Sequence, residues 1–203
     1  MAQLLTQNSK LKHTSKETGY RVFNFGIPAF KTSTGKVTCP FAGPCSNFCY
    51  ARDGAYIWSN VKPAFEYRYA KTLQANFPEL MQEEINKKKP QVIRVHDSGD
   101  YYSPKYLQKW FTIAKNNPEI LFYSYTNSVS FFKGIDLPSN FDVIFSDSGK
   151  LTHLINKTTD RHTKIFKSKD ELIKAGYVDA SKIDLYATRL LNPNNNKIGL
   201  IFH

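Results

Sequence analysis

Cysteine is nearly absent from this 203-residue chain, and what there is of it is crowded: Cys39, Cys45 and Cys49, with none elsewhere. An odd number so close together makes a poor disulfide framework, because any pairing leaves a free thiol. No run of about 18 apolar residues occurs, so neither a transmembrane helix nor a membrane partner is expected. The first sixteen residues lack the apolar core and small-residue cleavage site of a secretory signal, which makes a cytoplasmic location the expectation. Acidic residues are in deficit, 17 against 28 Lys and Arg, for a formal charge of +11. That excess has two readings: a polyanionic partner such as nucleic acid, or a Lys-rich solvated surface. Internal repeats are missing. The hydrophobic content of 41% and aromatic content of 14% exclude wholesale disorder.

What is present alternates. Tyr20–Phe25 reads as a strand turned by Gly26-Ile27-Pro28, and residues 63–88 carry apolar residues near helical spacing, with Pro78 opening a second helix. Val92–His96, Ile120–Tyr125, Phe141–Phe145 and Lys197–His203 read as further strands. Ser103-Pro104 is a helix start, and Ser168 with Glu171 has the spacing of a capping box before Gly176. Residues 1–18 are polar without an apolar period and read as a loose arm, leaving 19–203 as a single α/β domain. Strands alternating with helices, each strand ending in small and polar residues, predict a mostly parallel sheet or an incomplete (β/α) barrel. In such folds chemistry gathers at the carboxyl ends of the strands.

Three thiolates in a Pro/Gly-rich loop suit a metal or an iron–sulfur cluster. Structural zinc prefers four ligands, and a fourth would have to come from His96 or an Asp. A [4Fe-4S] cluster held by three cysteines needs no fourth protein ligand and leaves one iron open. Asp97-Ser98-Gly99-Asp100, at the end of the second long strand, combines carboxylates with small residues that permit close backbone approach. It reads either as a ligand loop or as the cap before Ser103. Thr126, Asn127 and Ser128, then Ser146, Asp147 and Ser148, end the next strands with the same ambiguity. Arg52 and Arg94 read as anion contacts or ion-pair members. His96 is the histidine best placed for function, whereas His13, His153, His162 and His203 read as surface or satisfied core groups. Tyr50, Tyr56 and Trp58 flank the cysteine loop as shields.

The loop Cys39-Pro40…Cys45…Cys49-Tyr50-Ala51, with Phe48 directly before the last cysteine, resembles the cluster motif of the radical S-adenosylmethionine superfamily. The gaps here are five and three residues, where that superfamily usually has three and two. Together with Ile27-Pro28-Ala29, Gly54, Tyr56, Arg94–Tyr101 and Tyr125–Ser128, the loop is more closely similar to a phage-encoded gene product 88-like family. The resemblance implies a [4Fe-4S] cluster on Cys39, Cys45 and Cys49 and an open iron available to S-adenosylmethionine. Asp97, Ser98, Gly99, Asp100, Thr126 and Asn127 would then hold that cofactor. It also implies an external electron donor and a location in a host cell's cytoplasm. The alternative is a non-catalytic iron–sulfur or zinc protein that binds nucleic acid through its basic surface.

Overall fold

A computed structural model describes residues 3–47 and 49–202; Phe48 and His203, singled out above, lie outside the described residues. Seven strands form one sheet: β1 (Val22–Phe25), β2 (Val92–Val95), β3 (Leu121–Thr126), β4 (Phe141–Ser146), β5 (His162–Phe166), β6 (Val178–Asp179) and β7 (Lys197–Ile201). They lie in the order β1-β2-β3-β4-β5-β7-β6, and every pairing is parallel. The sheet curls into a half-barrel, so the chain is a single-domain α/β protein. Helices α1 (Ser9–Thr18), α2 (Lys62–Leu73), α3 (Phe77–Lys88), α4 (Pro104–Lys115) and α5 (Lys169–Lys174) connect and cover it. Among the described residues, no helix is long and apolar enough to cross a membrane.

Successive side chains of a strand point to opposite faces, and the sheet buries both. On one face Phe25, Ile93, Val95, Phe122 and Phe141 pack with Phe77, Met81 and Ile85 of α3 and with Trp110 and Phe111 of α4. On the other, Val22, Val92, Tyr123, Ile144 and Ile198 meet Leu11 of α1 and Leu185. Burial on both faces explains why these strands read as near-continuous apolar runs. The helix signals are realised in detail: Ser103 Oγ accepts the Tyr106 N–H, and Ser168 Oγ accepts the Glu171 N–H.

Three segments differ from the sequence reading, the two-residue strand β6 among them. The amino-terminal stretch is not loose: Asn8 caps α1, and Leu4, Leu5 and Leu11 are buried. Its helix shows few apolar residues because polar contacts hold much of it down. Strand β5 carries no strand signal in the sequence, since His162-Thr163-Lys164 lacks apolar alternation. His162 is fully buried and satisfied by Asp160 O (2.9 Å) and Tyr177 Oη (3.2 Å).

The polar anchor of α1 is Asp184, which has no exposed surface. It accepts from Lys10 Nζ (2.6 Å), Arg94 Nη1 (3.0 Å), Tyr123 Oη (2.5 Å) and Tyr125 Oη (3.3 Å), while its own N–H donates to Thr14 Oγ1 (3.0 Å). Burial alone would raise the Asp184 pKa. The cations Arg94 and Lys10 outweigh it and hold the carboxyl well below the usual range. Removing one member of such a cluster strands the others, at a cost of about 3–5 kcal/mol. Asp184→Ala is therefore expected to lower unfolding free energy by about that amount in urea titrations. A loss under about 1 kcal/mol, typical of an exposed ion pair, would contradict this account of the core.

Candidate functional site

The residues between β1 and α2 cross the carboxyl ends of the strands and carry all three cysteines. The crossing is stitched down at several points. Thr38 Oγ1 donates to Pro28 O (2.6 Å), and its carbonyl accepts the Asp100 N–H (3.2 Å). Cys45 N–H donates to Ser148 O (3.4 Å), Lys150 N–H donates to Phe41 O (2.9 Å), and Ala42 bridges Gly149. The loop is thereby tied to the ends of β2 and β4.

Two of the three cysteine sulfurs meet N–H donors. Cys39 Sγ accepts from Phe30 N–H at 3.3 Å, with Phe30 held at φ 66°, a left-handed conformation that costs a non-glycine residue energy. Cys45 Sγ accepts from Asn127 Nδ2 at 3.6 Å. Cys49 precedes a short 3₁₀ turn (Tyr50–Arg52), and its side chain makes no capping hydrogen bond to that turn. No disulfide joins the three. Burial pushes the Cys39 thiol up to about 12, with the charges of Asp100 and Cys49 adding to it. Burial raises Cys49 as well, and the neighbouring Cys45 contributes.

The Asp97–Asp100 loop lies next to this crossing, and its two carboxylates have different surroundings. Asp100 is spent inside the protein: Oδ1 accepts from Thr126 Oγ1 (2.6 Å) and Tyr101 N–H (2.7 Å), and Oδ2 accepts from Asn127 N–H (2.9 Å). Burial outweighs these donors and raises its carboxyl to about 6. Asp97 is as deeply buried but less used. Its Oδ2 accepts from Tyr56 Oη (3.2 Å) and Asn8 Nδ2 (3.4 Å), whereas Oδ1 has no hydrogen-bond partner. Burial raises its pKa against the opposing charges of Arg94 and Arg68. Two glycines make the approach possible. A Cβ on Gly26 would fall 2.2 Å from Asp97 Oδ1; one on Gly99, at φ 80°, would fall 2.3 Å from Ile27 Cγ1. Ser98 is buried and its carbonyl accepts the Ile27 N–H (3.0 Å).

Tyr50 connects the site to the buried charges. Its ring is largely exposed, while its hydroxyl donates to Asp97 O (2.6 Å) and accepts from Arg94 Nη2 (3.3 Å). Tyr50 and Tyr56 pack edge to face at 5.6 Å, and Tyr56 stacks on Phe65. Over them lies a basin of about 940 Å³, lined by Cys49, Tyr50, Arg52, Tyr56 and, from beyond β7, Phe202. The curl of the sheet brings this last residue round to the cysteine loop. Trp58 is exposed. Arg52 is held by Ser46 O (2.7 Å) over the Phe30 ring, and Asp147 pairs with Lys157 (2.8 Å).

His96 sits apart from the cysteines, among aromatic rings. Its Nε2 is 2.9 Å from Tyr106 Oη, and its ring stands edge-on to Tyr101 at 4.6 Å. Among the described residues no three His, Cys, Asp or Glu side chains converge closely enough for a single metal ion. The reading of sequence missed Asp184 as the partner of Arg94 and Tyr123 as a donor to Asp184; the signal was an arginine in the otherwise apolar Val92-Ile93-Arg94-Val95.

Fold and loop together define a class: all-parallel α/β half-barrels with a cysteine-bearing loop across the carboxyl ends of the strands. Within it the chain belongs to the gene product 88 family, whose model matches residues 3–201. It is also similar to the Gene 88 protein of Mycobacterium phage L5, 26% identical over 101 residues. That match covers 44% of this chain and 42% of the relative, less than half of either. No solved structure matches.

Burial pushes the His96 imidazole down to about 3, so the folded protein keeps it neutral. Its contribution to stability is complete above the unfolded pKa of about 6.5 and is lost as pH falls toward 3. In a histidine-edited NMR titration the His96 ring should show no protonation shift between pH 8 and pH 5. A midpoint near 6.5 would place His96 in contact with water and contradict the packing described.

Proposed function

We propose that this chain is a phage iron–sulfur protein in which Cys39, Cys45 and Cys49 hold a [4Fe-4S] cluster with one iron open to S-adenosylmethionine. The observation that carries the reading is one loop that brings all three cysteines across the strand ends, with N–H groups donating to two of the sulfurs, Cys39 and Cys45. Hydrogen bonds of that kind stabilise metal-bound thiolates and tune cluster potentials. Neutral buried thiols have little need of them. A single structural zinc ion takes four protein ligands, and the loop offers three cysteines.

When bound, the cluster supplies an electron and an open coordination position, and an external donor must reduce it. The protein's own groups divide the remaining work. Asp97 offers its unpartnered Oδ1 to a ligand ammonium. Ser98 and Gly99 let Ile27 pack close against the loop that carries Asp97. Asp100, Thr126 and Asn127 act as positioning residues, since their polar atoms mostly meet one another and Cys45. Tyr50 and Tyr56 cover Asp97 and keep water from it. The site of action is the host cytoplasm. A second reading rests on the +11 charge: a cluster-bearing protein without turnover that binds nucleic acid.

Anaerobically purified protein should be brown, absorb broadly near about 400 nm and hold about four irons per chain. Each of Cys39→Ala, Cys45→Ala and Cys49→Ala should lose that iron, because three ligands leave no spare. Saturating S-adenosylmethionine should alter the paramagnetic resonance spectrum of the reduced cluster. Asp97→Asn should weaken this effect while iron content stays unchanged. A colourless protein with one zinc refutes the cluster. A spectrum indifferent to S-adenosylmethionine refutes the open-iron reading and leaves the nucleic-acid one.

A further inference from the structure

The sheet is not continuous along its whole width. β4 and β5 are in register only at Phe145↔His162 and Ser146↔Thr163, so Asp142, Val143 and Ile144 have no strand beside them on that side. A cavity of about 410 Å³ occupies this gap, away from the cysteine loop. Buried Phe141, Val143 and Phe145 give it an apolar wall, and Lys133, Arg161 and Arg189 give it a cationic one.

Arg161 is the unusual member. It is 8% exposed, and its guanidinium donates to two carbonyls, Ala187 O (3.3 Å) and Asn192 O (2.8 Å). No carboxylate among the described residues lies within ion-pair distance of it, although six such pairs form elsewhere. Both carboxylates that line the cavity are engaged with other groups. Asp142 accepts from Arg189 Nε (2.5 Å) and N–H (2.6 Å); Asp160 accepts from Lys133 Nζ (2.5 Å) and Asn156 N–H (2.8 Å). Burial lowers the Arg161 pKa and the field of Asp142 opposes this. A buried guanidinium that hydrogen-bonds only to carbonyls, with the Asp142 charge beyond ion-pair distance, bears a desolvation cost that a bound anion would offset. The chain's net charge of +11 concentrates small anions at its surface.

We propose that this cavity binds a small organic anion, with a ring-sized apolar body against Phe141, Val143 and Phe145 and one phosphate or carboxylate on Arg161. The volume falls within the range of ordinary ligand pockets, about 300–1,000 Å³. The aromatic wall favours a flat apolar body over a bare inorganic ion. Lys133 lies over the Phe145 ring, 5.2 Å from its centroid, and adds positive potential at the rim.

Phenyl phosphate and phenylacetate test the two head groups, and benzyl alcohol serves as the neutral control, each titrated into the full chain by NMR. Saturable shifts centred on residues 132–145, 159–161 and 189 are expected for at least one anion, and the one that binds names the head group. Benzyl alcohol should bind about tenfold more weakly or worse. Arg161→Gln should weaken the anion by a similar factor and leave benzyl alcohol unaffected. Should that variant not fold, Leu137→Trp, at an exposed position on the rim, should block the anion while Arg161 stays in place. The site is refuted if neither anion binds saturably, if the neutral control binds as well as the anions, or if neither substitution changes anion affinity.

Discussion

The carboxylate of Asp100 is the knot on which the arrangement around the cysteines depends. It is buried, and its two oxygens take donors from Thr126, Asn127 and the following backbone N–H, so the ends of β2 and β3 are held together. Its own N–H donates to Thr38, the residue before Cys39. Asn127, fixed by Asp100, presents its amide to Cys45. One residue, through its carboxylate and its backbone N–H, therefore links the segments that carry two of the three cysteines. This is strong leverage for one group, because a buried carboxylate that loses a donor pays a desolvation penalty with no compensation.

A second chain of polar contacts runs across the other face of the sheet. Lys10 meets Asp184, Asp184 meets Arg94, Arg94 meets Tyr50, and Tyr50 meets the backbone of Asp97. The first helix is thus continuous, through charge and hydroxyl contacts, with the carboxylate proposed to hold a ligand. Networks of this kind fix a unique geometry as long as every member is satisfied. Its open atoms are Arg94 Nε and Asp97 Oδ1, both beneath the tyrosines. The half-barrel is filled by its own side chains there, and the accessible space lies above them, in the basin beside Cys49.

The alternation of strand and helix was legible because parallel strands buried on both faces must be apolar and their helices must carry caps, as Ser103 and Ser168 do. The crowding of the cysteines was equally plain. The first helix was not, since only Leu11 and Thr14 of its residues are buried and its anchor, Asp184, lies far along the chain. Strand β5 escaped because His162 and Thr163 are polar yet buried; His162 is satisfied by partners that spacing does not reveal, and Thr163 Oγ1 has none. In Asp97-Ser98-Gly99-Asp100 the two carboxylates look equivalent on paper. Only the donors around them separate a strut, Asp100, from a group with an oxygen to spare, Asp97.

The central claim is that three thiolates of one loop share one polynuclear iron group. X-ray absorption at the iron edge of the anaerobic protein measures this most directly, because it reports the neighbours of the metal whatever the protein goes on to do. The account predicts a sulfur shell about each iron together with an iron–iron shell, both lost in Cys39→Ala, Cys45→Ala and Cys49→Ala. Iron surrounded only by nitrogen and oxygen, or an iron signal that survives all three substitutions, would contradict it.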